Sequence, residues 1–241
     1  GIGKGIKEKI EKVLEMKIPE KMSEDLTKIY GIGPAKQKQL NDKGILRIEE
    51  LKENLDLLND KQKIGIKYYE DLDKRIPYEE MSVHDNIIKN ILKEINGIND
   101  YSIVGSYRRM KRDSGDIDIL VNSDENVLKD IVKSGIKKGY ILEVLACKDI
   151  KFMGIVKLSE KDVARRIDIM VTNNKEYPLA QLYFTGSKEH NIMMRNKAKE
   201  KGYRLNEHKL LNIENNEIVD IKNESDIFKF LDIKYVDPKN R

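Results

Sequence analysis

The sequence predicts an α+β fold. Three observations carry the prediction: apolar residues recur at helical spacing through the first third, β-branched segments alternate from Tyr101 onward, and the final third mixes the two rhythms. The 241 residues suit one or two domains with a real core. With 46 basic and 42 acidic side chains the net charge is +4, too small an excess to identify a nucleic-acid partner, because mixed Lys/Glu helices reach it without binding anything. No stretch approaches eighteen consecutive apolar residues, and no leader with an apolar centre precedes a small-residue cleavage site. The expectation is a soluble, intracellular chain with no membrane partner, nucleus and cytoplasm not being distinguished. A single cysteine, Cys147, excludes an internal disulfide, a multi-cysteine zinc site and dithiol redox chemistry. Its run Val144-Leu145-Ala146-Cys147 predicts a buried, inert thiol. The start Gly1-Ile2-Gly3, without an initiator methionine or a cap before the first apparent helix, predicts a fragment with residues missing upstream.

Residues 5 to about 75 read as short helices, with Ile6, Ile10, Val13 and Leu14 at helical spacing and Leu51, Leu55 and Leu58 repeating it. Glycine pairs and Pro34 mark tight turns between them. Tyr101 to Val104, Asp116 to Val121, Lys151 to Leu158 and Arg166 to Val171 are short, alternating and rich in β-branched residues, as strands are. A helix is predicted over Glu189 to Lys201, and a hairpin where Lys209 to Ile213 and Glu217 to Ile221 flank Glu214-Asn215-Asn216. Domain boundaries are placed near Pro77 and Asn174.

The stretch Ile29-Tyr30-Gly31-Ile32-Gly33-Pro34-Ala35-Lys36 joins a helix end to a glycine turn and a proline at a first helical position, where its missing N–H costs nothing. Free backbone N–H groups and the positive end of a helix dipole favour a phosphate there. A lone Gly-x-Gly is more often a helix C-cap. Gly-Ile-Gly occurs twice, however, each time before a lysine-bearing helix: Lys4, Lys7 and Lys9, then Lys36 and Lys38. The pair resembles the helix-hairpin-helix motif, which grips nucleic-acid backbone without reading sequence.

Gly105-Ser106-Tyr107-Arg108-Arg109 leads to Ser114-Gly115-Asp116-Ile117-Asp118-Ile119. Residues two apart on a strand share a face, so Asp116 and Asp118 project together while the isoleucines point into the core. Two such carboxylates repel unless a cation lies between them, and Mg²⁺, hard and oxygen-liganded, fits the pair. Asp168, in Arg165-Arg166-Ile167-Asp168-Ile169, has the same setting between isoleucines and can belong to a neighbouring strand. Three carboxylates around two metal ions make a clamp for in-line phosphoryl transfer. Gly105 and Ser106 then hold a triphosphate, with Arg109 as charge clamp. An isolated Asp-x-Asp in so acidic a chain is ordinarily a solvated face. The preceding Gly-Ser, the apolar residues between the acids and the third Asp raise this one above that background.

The chain resembles a family X DNA polymerase of the beta and lambda kind. The likeness runs from Gly1 to the C-terminus through Gly31 to Pro34, Lys67-Tyr68-Tyr69, Arg75-Ile76-Pro77 with Glu79-Glu80-Met81, Gly105 to Asp118, Lys151-Phe152-Met153-Gly154, Arg165 to Ile169 and Tyr183-Phe184-Thr185-Gly186-Ser187. It implies a helical helix-hairpin-helix DNA-binding subdomain (23–76), a nucleotidyltransferase-type palm with a mixed sheet (77–174) and a small α+β C-terminal subdomain that selects the nucleotide (175–241). Residues 1–22 would be the remnant of an N-terminal lyase-type domain. It further implies that Asp116 and Asp118 bind two Mg²⁺ ions, with Mn²⁺ as a substitute, and that Asp168 binds the catalytic ion and receives the proton of the primer 3′-hydroxyl.

By the same resemblance Gly105, Ser106, Arg109, Ser114 and Gly115 bind the nucleotide triphosphate, Tyr183, Phe184 and Gly186 hold its sugar, and Asn191 meets the base. Gly31, Gly33, Ala35, Lys36, Lys151, Arg166 and Arg195 are DNA contacts, with Glu207 a partner that closure around Arg195 rearranges. The carbonyls of Thr27, Ile29 and Ile32 bind a monovalent cation, Na⁺ or K⁺. The implied partners are gapped or primer-template DNA and deoxynucleoside triphosphates, for a monomer that fills short gaps in DNA repair, base excision repair included. Lys9 falls on the family's lyase nucleophile position; most of that domain would precede Gly1, and an exposed helical lysine is the alternative.

Two positions depart from the best-known members: Lys188 replaces an acidic residue near the incoming base, and His208 follows the lambda-like form. Tyr183-Phe184 before Thr185-Gly186 favours a template-directed enzyme over a template-independent terminal transferase. Two other readings stand beside this one: a nucleotidyltransferase acting on another acceptor, and a DNA-binding module without catalysis.

Overall fold

The computed structural model describes residues 24–241. The helix expected over Ile6 to Leu14, the first Gly-Ile-Gly turn, Lys9 and the 1–22 segment lie outside the described residues. The chain forms two compact units, divided after Tyr69.

In the first unit Asp25 accepts the Thr27 amide and opens a 3-10 turn (Leu26–Lys28). Helices α1 (Pro34–Asp42), α2 (Ile48–Lys52) and α3 (Asp60–Lys67) follow, with a second 3-10 turn (Leu55–Leu57) between α2 and α3. Asn59 and Gln62 exchange side-chain and backbone hydrogen bonds at the start of α3, satisfying donors that a helix end leaves open. Leu26, Ile29, Leu40, Leu51, Leu58 and Ile66 close over one core. The single helix implied by the Leu51, Leu55, Leu58 spacing does not form. Asn54 donates its side-chain amide to the Glu50 carbonyl at 2.8 Å and ends α2, and Leu55 faces solvent in the 3-10 turn.

The boundary falls within α4 (Tyr69–Leu72). In the second unit β1 (Ile76–Pro77) pairs with β3 (Asp113–Ser114). Five strands make a mixed sheet in the order β2 (Asp100–Ile103), β4 (Ile117–Asn122), β7 (Arg165–Thr172), β6 (Lys151–Val156) and β5 (Ile141–Lys148). β4 and β7 run parallel; every other neighbour is antiparallel. Helices α5 (Tyr78–Leu92) and α7 (Leu128–Lys137) bury Met81, Ile88, Leu128 and Ile131 against Ile117, Ile119 and Val121 of β4 and Ile167, Ile169 and Val171 of β7. On the opposite face Leu120 packs with Val104 of the loop after β2 and with Tyr177 and Ala180 of α8 (Tyr177–Thr185). The period of two that buries the isoleucines therefore assigns Asp118 and Asp168 to the other face.

Under the sheet α5 buries His84, whose Nδ1 lies 2.8 Å from the Tyr140 hydroxyl. Burial pushes its imidazole down to about 4. The C-terminal part, α9 (Lys188–Glu200), β8 (Tyr203–Leu205), β9 (Leu210–Asn212) and α10 (Glu224–Phe230), has its own core of Leu182, Met194, Leu210, Ile227 and Phe228.

Two expectations fail here. Cys147 is exposed. It lies on β5, an edge strand that buries Ile141 and Leu145 but leaves Leu142 and Val144 open, and the β5/β6 register is irregular between Val144 and Ala146. The hairpin over Lys209 to Ile221 is also reduced. Its turn forms, with Asn216 at φ +60°, but β9 pairs with β8, and the second arm keeps one bridge, Leu211 to Ile218. Val219 and Ile221 pack on the C-terminal core while Ile218 faces solvent, and the Asn212 and Val219 amides bond the Glu217 and Leu210 carbonyls around that one bridge. The arm is therefore held by its apolar side chains and a short pairing rather than by a full ladder. Among the described residues no helix is long and apolar enough to cross a membrane.

Candidate active site

The parallel register sets Asp118 of β4 directly opposite Asp168 of β7. Asp116 stands just before β4, two residues from Asp118. Burial, followed by repulsion from Asp116 and Asp168, pushes the Asp118 carboxyl up to about 7, against the pull of Arg166. Asp168 is also raised, by burial, although Arg166 and Lys151 oppose the shift. Arg166 donates to Asp116, and its Nε lies 4.0 Å from Asp168 Oδ1.

Asp168 Oδ1 is buried without a hydrogen-bond partner among the described residues. Among the described residues no three His, Cys, Asp or Glu donors are gathered into a cage, since Asp116 is turned onto Arg166. A set of anionic oxygens short of positive charge suits a hard divalent cation.

Beside these acids the chain turns through Gly105 at φ +62° into α6 (Gly105–Arg108). A β-carbon at Gly105 would lie 2.7 Å from Asp118 Oδ2, so glycine is what lets the carboxylate approach the turn. Ser106 and Ser114 share a hydrogen bond at 2.8 Å, joining the two ends of the Gly105 to Asp118 motif. Arg109 donates to the Thr185 carbonyl at 2.5 Å. Burial lowers its affinity for a proton, partly offset by Asp118 and Glu189, and its Nε is buried without a partner. Gly186 lies beyond Thr185, and a β-carbon there would be 3.2 Å from Arg109 Nη1. Tyr183 and Phe184 are half-buried and meet edge to face, while Asn191 donates to the Tyr183 carbonyl at 2.7 Å.

Arg195 is exposed and, among the described residues, bonded only to the Asn191 carbonyl of its own helix. Lys151 begins β6 and faces solvent. His208 is paired with Glu176 at 2.7 Å, and Glu207 lies 3.9 Å from the same ring.

In the first unit Gly31 has φ +84°, a conformation that favours glycine, and its carbonyl accepts from Gln62 at 2.9 Å. Gly33 precedes Pro34 at the start of α1, so the amides of Ala35 and Lys36 have no acceptor within the helix. The Lys36 ammonium reaches inward to the Leu57 carbonyl at 2.6 Å. The Ile29 carbonyl accepts the Ile32 amide. Thr27 lies in the 3-10 turn just before.

Sequence reasoning assigned Arg109 and passed over its neighbour. Arg108 makes a paired contact with the buried Glu224 at 3.0 Å to each oxygen and donates to the Thr185 hydroxyl at 2.7 Å. Arg241 takes Glu224 from the other side at 2.6 Å. The only available signal was the doubled arginine, because the carboxylate it needs lies 116 residues away.

Three family models match in chain order: the fingers domain of DNA polymerase lambda over residues 24–73, the DNA polymerase beta palm over 75–174 and the DNA polymerase beta thumb over 180–241. Alignments with three relatives extend over all of this chain. DNA polymerase lambda of Rattus norvegicus is 27% identical over 271 residues and that of Arabidopsis thaliana 27% over 280, with 47% and 52% of those proteins covered. The DNA nucleotidylexotransferase of Xenopus laevis is 26% identical over 293 residues, with 58% covered. The chain thus spans about half the length of these relatives. With fingers, palm and thumb matched in succession and the paired strands bearing Asp118 and Asp168 inside the palm match, the chain belongs to the polymerase beta/lambda family, family X.

Proposed function

We propose that the chain is a template-directed DNA polymerase that fills short gaps, adding a deoxynucleotide to a primer 3′-hydroxyl with release of pyrophosphate. The observation that carries this reading is the pairing of Asp118 with Asp168 across β4 and β7, beside the Gly105 turn. Asp116, Asp118 and Asp168 would hold two Mg²⁺ ions, or Mn²⁺ in their place, which supply charge neutralisation to the attacking and leaving oxygens. Asp168, whose Oδ1 has no hydrogen-bond partner among the described residues, would take the proton of the 3′-hydroxyl. Ser106, Ser114 and the amides at Gly105 and Gly115 cradle the triphosphate, and Arg109 neutralises it.

Tyr183, Phe184 and Gly186 hold the sugar, Asn191 the base edge, Arg195 the template, and Lys151 and Arg166 the primer. In the first unit Gly31, Gly33, Ala35 and Lys36 grip backbone phosphates, and the Thr27, Ile29 and Ile32 carbonyls bind Na⁺ or K⁺. Residues 23–76, 77–174 and 175–241 form the DNA-binding, catalytic and nucleotide-selecting parts of a monomer. The names of the lambda relatives support template direction; that of the Xenopus relative raises addition without a template.

Primer extension on a one-nucleotide gapped duplex, each deoxynucleotide alone, decides between them. Template-matched incorporation that needs Mg²⁺, stops with EDTA and is lost in Asp168→Ala is the expected result. Incorporation indifferent to the template would favour the exotransferase, and none at all would leave a DNA-binding module.

A further inference from the structure

Away from the acids, a cavity of about 610 Å³ is lined by Arg75, Tyr78, Glu79, Lys111, Arg112 and Asp113, among others. Its charges are unevenly matched. Arg75 is held by Asp113 at 2.8 Å, so these two cancel. Lys111 and Arg112 form no ion pair or side-chain hydrogen bond with any described residue, and Glu79 is the one carboxylate of the lining left to oppose them. Two unpaired cations in a concave site attract a compact anion.

The backbone fixes these cations to the Gly105 to Asp118 motif. Met110 takes a left-handed conformation, φ +55°, which turns the chain so that the Lys111 amide donates to the Ser106 carbonyl at 3.1 Å. The Arg112 carbonyl accepts the Tyr78 amide at 3.1 Å, and Asp113 pairs with Pro77. Tyr78 rests against Tyr107, ring centres 4.8 Å apart, giving the cavity a firm wall. A β-carbon at Gly115 would lie 2.9 Å from Arg75 Nη1, so Arg75 connects the cavity to the backbone proposed to carry the triphosphate.

We propose that this cavity is a second polyphosphate site, in which Lys111 and Arg112 receive the inorganic pyrophosphate displaced by nucleotide addition. The source of the pyrophosphate rests on the polymerase reading above; the affinity for the anion does not. Two sequence-adjacent cations at one open, concave pocket suit a small polyphosphate, whereas a duplex backbone calls for cations spread along a groove.

The test compares the chain with its Lys111→Ala/Arg112→Ala variant, whose exposed changes leave the core intact. Calorimetric titration of both with inorganic pyrophosphate in EDTA should show binding weakened about tenfold or more in the variant, as expected for loss of charge-assisted hydrogen bonds. Pyrophosphate inhibition of single-nucleotide incorporation should weaken by the same factor, with kcat and the deoxynucleotide KM unchanged within about twofold. Equal pyrophosphate affinity in the two proteins would overturn the proposal. So would a deoxynucleotide KM that rises in step, which would give the cations to the substrate, or a matching loss of gapped-duplex affinity, which would give them to DNA. Should neither protein incorporate nucleotide while the difference in pyrophosphate binding persists, the polymerase reading fails and the anion site stands.

Discussion

Strands β4 and β5 belong to one sheet and both read as apolar runs, yet one is a platform for chemistry and the other a boundary. β4 has a hydrogen-bonded neighbour on each side and apolar cover on both faces, with Ile117, Ile119 and Val121 toward the helices and Leu120 toward α8. β5 has a single neighbour, and its alternate side chains Leu142 and Val144 are exposed. Burial around β4 is what makes Asp118 hard to ionise; no such pressure exists along the open side of β5. A strand's neighbours, more than its own hydrophobicity, decide whether a polar residue on it is held under tension.

The largest expected contrast is catalytic. Asp118→Asn should lower incorporation on the order of 10³-fold while leaving the thermal midpoint unchanged or higher, because it relieves repulsion from Asp116 and Asp168. Equal activity of the variant in primer extension would remove Asp118 from the chemistry.

Leu145 is the point where β5 resembles β4, being buried against the core. Leu145→Ala should cost about 2–4 kcal/mol by the cavity it leaves, read as a lower urea midpoint at constant slope. A smaller pH effect comes from Tyr140, the residue before β5, which meets His84. Burial depresses the His84 imidazole to about 4 from an ordinary 6.5, so the unfolded chain binds the extra proton first. Stability should be complete above about pH 6.5 and fall by roughly 3 kcal/mol as the pH drops toward 4. His84→Gln should flatten that part of the curve; an unaltered slope would assign the loss to other groups, such as His190, which is depressed in the same way.

The smallest effect belongs to the open side of β5, where Val144→Thr should change stability by no more than about 0.5 kcal/mol. Cys147 there should react with a thiol reagent in the native state without denaturant. Labelling that waits for unfolding would mean that β5 is covered in solution.

The same contrast explains what could be read from the sequence. Ile117-Asp118-Ile119 and Ile167-Asp168-Ile169 were legible because a central strand enforces strict alternation, and an acid between two isoleucines then has one direction to point. Val144 to Cys147 misled because an edge strand relaxes that rule, and nothing local marks a strand as an edge. The helical N-terminal unit was legible as turns and apolar spacing, though one side-chain amide, Asn54, was enough to break a regular leucine pattern. Glu224 was invisible for a different reason: its meaning lies in Arg108 and Arg241, contacts made only by folding. The second hairpin arm was legible as alternation, with Val219 and Ile221 turned to the core, but its pairing with β9 stops at one bridge, which alternation alone does not reveal.

The register of β4 against β7 acts as the site's ruler. A slip of one residue would turn Asp168 to the opposite side of the sheet, and a slip of two would keep its direction but carry it about 6.6 Å along the strand. No intermediate setting exists for a pleated ladder. The spacing of the two carboxylates is therefore quantised by backbone pairing and protected by every isoleucine that keeps the strands in step, so a substitution far along β7 can spoil the alignment without touching an acid.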